Sequence, residues 1–163
     1  MKKNINLFFL FFMFIFLNEC SGYKPIFATT GLQFKISEHT ISGNKLLGNK
    51  LYSKFSSQSK SNSNDPNIKN VEILINVNKT KKSATKNSAG KILEYKISLN
   101  TKVEVTNIET SKIILNKNFI SSLNYKVQSQ YSDTINLENK TIENLLNNTY
   151  REIILNITKN ISS

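Results

Sequence analysis

The run YKISLNTKVEVT, Tyr95–Thr106, decides how this sequence folds. Tyr95, Ile97, Leu99, Thr101, Val103 and Val105 take alternate positions, and Lys96, Ser98, Asn100, Lys102, Glu104 and Thr106 fill the places between them. Successive side chains of a β-strand point to opposite faces, so the run predicts a strand with one face in a core. Its other face is wet, or covered by something outside this chain. At about 3.3 Å per residue the strand spans roughly 40 Å, longer than most.

The neighbouring segments supply its partners. Upstream, Val71, Ile73, Ile75 and Val77 alternate with Glu72, Leu74, Asn76 and Asn78, which predicts a second strand. Downstream, the polar turn NIETSK leads to a strand over Ile113–Val127, and two long strands about a short turn read as an antiparallel hairpin. Its inward face holds Ile113, Leu115, Phe119, Leu123, Tyr125 and Val127, interrupted by Lys117 and Ser121. A shorter alternation, Leu32, Phe34 and Ile36 within Leu32–Ser37, predicts a first strand.

Two segments carry the helical period instead. Over Asn44–Phe55, Leu47, Leu51 and Phe55 recur every four residues, with Leu46 beside them. Over Leu137–Ile161, Ile142, Leu145, Leu146, Thr149, Ile153, Ile154, Ile157 and Ile161 mostly follow a three-four spacing. At a rise of about 1.5 Å per residue the second helix is roughly 37 Å long and can lie along the whole sheet. Between the first helix and the second strand, SSQSKSNSNDPN at Ser56–Asn67 is too polar to order itself and reads as a mobile loop. The order β-α-β-β-β-α predicts an α+β two-layer sandwich, a four-stranded, mainly antiparallel sheet with two helices on one face. The 163 residues suffice for one domain.

The N-terminus has a different character. Met1-Lys2-Lys3 precedes Leu7–Leu17, an unbroken apolar run of the length of a signal-peptide core and too short for a membrane span of about 20 residues. Cys20 follows, the only cysteine. A lone cysteine is buried, free, paired with another chain or covalently modified, and its place after an apolar run favours modification. Leu17-Asn18-Glu19-Cys20 supplies the aliphatic residue and cysteine of a bacterial lipobox, with Glu19 where small residues are usual. The competing reading is an ordinary signal peptide, or an uncleaved anchor with an incidental cysteine. The expected organisation is a lipoprotein signal peptide at 1–19, a lipidated extended tether at 20–31, and one α+β domain at 32–163.

Charge narrows the partners. The chain carries 22 Lys and Arg against 11 Asp and Glu, and cleavage before Cys20 would remove only Lys2, Lys3 and Glu19. So cationic a chain attracts a polyanion, whether nucleic acid, an anionic membrane surface or a phosphorylated glycolipid; export makes nucleic acid the weakest of these. His39, the only histidine, reads as a loop residue with no companion ligand, and the acids show no paired arrangement, so neither a zinc site nor a catalytic constellation is expected. No Gly-rich phosphate loop or nucleophile elbow is present, and the chain reads as a non-enzyme without a cofactor. Lys79, Lys81, Lys82, Lys86 and Lys91 crowd the connection between the second and third strands. Such a cluster can give charge-assisted hydrogen bonds to ligand phosphates; the bland reading is a hairpin tip kept soluble by lysines.

Cys20 followed by GYKPIF after Ser21, the β-α-β-β-β-α order, KNSAGKILEYKISLNTKVEV with Glu94-Tyr95 opening the long strand, and the long C-terminal helix together resemble the LPS-assembly lipoprotein LptE family, in the style of its short alphaproteobacterial members. The resemblance implies a protein lipid-anchored on the periplasmic side of the outer membrane, with Ser21 after the cysteine in keeping with outer-membrane sorting. It implies a plug for the LptD β-barrel that helps the barrel assemble and binds lipopolysaccharide, with no nucleic-acid partner. Aligned on Glu94-Tyr95, Lys86 matches the family's glycolipid-contacting basic position. Lys81, Lys82 and Lys91 belong to the same loop, and Lys126 is a second candidate. The alternative is an auxiliary lipoprotein of a periplasmic ABC-type lipid-transport system.

Overall fold

A computed structural model describes residues 34–59 and 68–161. The expected signal peptide, Cys20, the tether, the first two residues of the expected first strand and residues 60–67 of the Ser/Asn-rich loop lie outside the described residues. The elements run β1 (Phe34–Gly43), α1 (Lys45–Ser59), β2 (Lys69–Lys86), β3 (Ile92–Asn107), β4 (Ile113–Lys126) and α2 (Tyr131–Ile161). They form an α+β fold around a four-stranded sheet of order β1-β2-β3-β4. β1 pairs with β2 in parallel, and the other two pairings are antiparallel.

The strand that opened the reading is the third of the sheet. Ile97, Leu99, Thr101, Val103 and Val105 are all buried, and opposite them Val71, Ile73, Ile75 and Val77 of β2 are buried too. Burial of apolar side chains on one face drives the assembly, and both helices lie over that face. α1 sets Leu47, Leu51 and Phe55 into the core, and α2 sets in Leu145, Leu146, Ile153 and Ile157. The helices meet where the Phe55 and Tyr150 rings lie 5.0 Å apart and Lys54 binds Glu143 at 2.7 Å.

Several elements run further than their hydrophobic pattern. β1 reaches Gly43 rather than Ser37, because a bulge between Ile36 and Glu38 breaks the period of two. The bulge moves His39 and Ile41 into register with Ile73 and Ile75 on the helix-covered side. His39 is therefore a strand residue, not a loop residue, and its ring stacks on Tyr52 of α1 at 3.8 Å. α1 continues past Phe55 to Ser59, whose hydroxyl accepts the Ile36 N–H at 3.2 Å, so Ser56–Ser59 are helix rather than loop. β4 ends one residue before Val127, and its expected inward face is only partly buried. Leu115, Phe119 and Tyr125 are buried, whereas Ile113 and Leu123 stay exposed. Its two polar interruptions bind α2 instead: Lys117 donates to Asn156 at 3.0 Å, and Ser121 and Thr149 share a hydrogen bond of the same length.

α2 begins at Tyr131, six residues before the expected Leu137, and at about 1.5 Å per residue its 31 residues span roughly 46 Å. Its first turns, with Thr134 as their one buried residue, carry too little apolar pattern to announce a helix. No described helix is long and apolar enough to cross a membrane.

Candidate functional site

β2 runs to Lys86, well past the end of its apolar alternation at Val77. Beyond Val77 it is held by pairing with β3 rather than by burial, from Asn78 opposite Asn100 to Lys86 opposite Ile92. The lysine-rich connection is thus mostly strand, and only Asn87–Lys91 turns the chain. Asn87 Oδ1 accepts the N–H groups of Ala89 and Lys91 at 3.1 and 2.9 Å, and Gly90 takes the left-handed conformation the turn requires, φ 79°.

This geometry sorts the candidate lysines by face. Lys79 and Lys81 point to the helix side. Lys81 Nζ donates to Glu138 of α2 at 2.5 Å, Tyr125 donates to the same carboxylate oxygen at 2.7 Å, and Lys79 lies 3.9 Å from the other. The Lys81 ammonium also sits 4.3 Å above the Tyr95 ring, which stacks near Tyr125. Burial opposes the Lys81 charge, but its bonds to Glu138 and Tyr125 prevail and hold the ammonium above its ordinary range. Burial pushes the Glu138 carboxyl up, and the bonds from Lys81 and Tyr125 outweigh that and hold it below. Burial pushes the Tyr125 hydroxyl up. Lys81 is therefore engaged by α2, part-exposed on the helix-covered side.

Lys82, Lys86 and Lys126 lie on the other side of the sheet, the side without helices. Lys82 stands directly opposite Lys96, and Lys126 opposite Glu94, which also accepts from Thr85 at 3.4 Å. Lys91 sits in the exposed turn beside them. Lys96 is the member of this group that the spacing of lysines did not single out; only the strand register brings it against Lys82. None of these five lysines forms an ion pair with a described residue. Like charges directly opposite one another destabilise a sheet, so the Lys82–Lys96 pair is a cost to the fold that an anion would relieve.

Away from this end the helix-free face first turns uncharged and then mixes signs, with Lys102, Glu104 and Glu72. Thr80, Ser98 and Ser122 form one cross-strand row, and Asn78, Asn100 and Ile120 form the next. No described cluster of His, Cys, Asp and Glu has the makings of a metal site. The face can make hydrogen bonds over most of its length, is net basic at the hairpin end, and exposes Ile120 at its middle.

The same α+β fold is found among bacterial lipoproteins. The chain shares its fold with a putative lipoprotein from Caulobacter crescentus, with a TM-score of 0.59 at 13% identity over 81% of this chain and 93% of that one. It also shares it with the rare lipoprotein B from Shewanella oneidensis, TM-score 0.52 at 8% identity over 77% of this chain and 99% of that one. The sequence matches no protein-family model and no curated protein.

Proposed function

We propose that this chain is a lipoprotein of the outer membrane, anchored through Cys20 on the periplasmic side, that plugs and helps assemble an LptD-like β-barrel and binds lipopolysaccharide on its way to the outer leaflet. The observation that carries the reading is the helix-free sheet face, polar over most of its length and basic at its hairpin end. The interior of a large membrane barrel is itself polar, so rows of Asn, Ser and Thr can exchange hydrogen bonds with its wall where an apolar face could not. The fold shared with two bacterial lipoproteins and the LptE-like junction around Cys20 support the same reading.

The domain's polarity fits the task. β1 begins at Phe34, opposite Lys69, and the basic hairpin lies at the far end of β2. At about 3.3 Å per residue the 18 residues of β2 separate these ends by nearly 60 Å, about twice the hydrocarbon thickness of a bilayer.

Depleting the protein tests the reading: the barrel should stall in assembly and surface lipopolysaccharide should fall. Normal barrel levels would sink it. Affinity capture of the full chain from envelope extracts should recover the barrel in stoichiometric amount. In the purified chain, Lys86→Glu should weaken lipopolysaccharide binding, more so at low salt, and leave the circular dichroism unchanged.

A further inference from the structure

The two edges of the sheet are finished differently. β1 is broken by its bulge after Ile36, carries Lys35, Glu38 and His39, and gives the Ile36 N–H to Ser59 of α1. Bulges, charges and covering groups are the usual guards of an edge strand, and β4 lacks them along its middle. The Val127 N–H bonds the Leu93 carbonyl, and bonded pairs alternate along an antiparallel ladder. Odd-numbered residues of β4 therefore bond β3, and even-numbered ones turn their N–H and C=O outward. Side chains close this outer row at both ends: Asn160 of α2 donates to the Ile114 carbonyl at 2.7 Å, and Gln128 to that of Lys126 at 3.2 Å. Between them the outward N–H and C=O groups of Asn116, Asn118, Ile120, Ser122 and Asn124 bond no described residue. Their five side chains are uncharged and exposed, with Ile120 at the centre 72% so. Lys117, the one charge in the stretch, is turned to the helix side and held by Asn156. A donor and an acceptor repeating every two residues, about 6.8 Å, match one ligand chemistry, the backbone of another extended chain.

We infer that β4 takes up an extended segment of another protein over residues 116–124, as a fifth strand of the sheet. A second copy of this chain does not fit. α2 packs chiefly on β4, bonded at Lys117–Asn156, Ser121–Thr149 and Tyr125–Glu138. Paired strands lie about 4.8 Å apart and packed helices about 8–10 Å, so a copy joined through β4 would drive its α2 into this one. The wall of a closed barrel does not fit either, since each of its strands is already paired on both sides. The occupant is thus a lone strand with no helix above it and an apolar residue opposite Ile120. It carries no net positive charge, because this chain has 22 Lys and Arg against 11 Asp and Glu. The inference stands apart from the barrel reading.

Amide hydrogen exchange in the purified chain tests it, because only one parity of residue should respond. Alone, the amides of Asn116, Asn118, Ile120, Ser122 and Asn124 should exchange fast and those of the odd-numbered residues between them slowly. The probe is the peptide NENFISSLN, blocked at both ends, which copies residues 116–124 with glutamate for the lysine and, antiparallel, sets its isoleucine opposite Ile120. Saturating peptide should slow the five even-numbered amides about tenfold or more and leave the odd-numbered ones unchanged. Ser122→Pro removes an outward donor without touching the ladder to β3; it should abolish the slowing while the odd-numbered amides stay protected. Protection of the even-numbered amides in the peptide-free monomer would mean that the chain covers its own edge, and protection growing with protein concentration would mean a second copy. Either overturns the inference, as does an absence of slowing by the peptide or slowing that survives Ser122→Pro.

Discussion

Glu138 is the residue on which the hairpin's position depends most directly. Its carboxylate takes hydrogen bonds from Lys81 on β2 and Tyr125 on β4, so one acid on α2 ties down the two strands flanking β3. Because the folded chain holds its pKa below an ordinary value of 4.5, Glu138 stabilises the fold above that pH, and the contribution is lost as pH falls through the lower folded value. Lys81 works in the opposite sense: raised above 10.5, it contributes fully below that pH and loses its contribution only as pH rises through the folded value. Stability should therefore be level across neutral pH and decline on the acid side. Glu138→Gln should cost about 1–2 kcal/mol at pH 7, discounted for the part-exposed Lys81, and flatten the acid limb of Tm against pH. A variant with an unchanged acid limb would show that the carboxylate is not held as described. None of this was legible in the sequence. Lys81 and Lys82 are adjacent and chemically identical, and only the pleat, which alternates sides, sends one to Glu138 and the other to Lys96.

Between β1 and α1 the chain turns on two residues. Gly43 has φ 72°, and a Cβ there would run into the Val77 carbonyl oxygen. Asn44 follows as the N-cap: its own N–H bonds Val77 O at 2.6 Å and its side chain accepts the Leu47 N–H at 3.1 Å. Gly43→Ala should cost about 1–3 kcal/mol in a urea melt, through strain at the positive φ and the displaced backbone contact. On α2, Leu146→Ala empties a fully buried site between helix and sheet and should cost about 2–5 kcal/mol, whereas Leu155→Ala, half exposed, should stay within about 0.5 kcal/mol. Equal costs would mean that the helix is not seated on the face described. The buried stripes of both helices and the alternations of β2 and β3 were readable, because burial on one face writes its own period. Their extensions were not. The bulge after Ile36 breaks the period in β1, and the outer half of β2 is held by backbone pairing that leaves no side-chain signature.

For the domain as a whole, the start of β1 and the basic hairpin sit at opposite ends of β2. If Cys20 is the anchor, Cys20→Ala should move the protein from the membrane to the soluble periplasmic fraction. Intact mass of the membrane-extracted wild type should then show a mature chain starting at Cys20 with its acyl groups; a chain starting elsewhere removes the lipoprotein reading. Neutralising both, Lys82→Gln with Lys96→Gln, should lower lipopolysaccharide affinity without lowering Tm, because their mutual repulsion is removed at no cost to the core. By itself the sequence determined the element order, the buried face of the sheet and the strongly cationic balance, since each is written locally as period or composition. The tertiary structure alone decided which lysines share a face, that Lys96 joins them, and that Lys81 turns inward to Glu138. Those facts depend on strand register and on the packing of a helix far away in the chain, which no local pattern records.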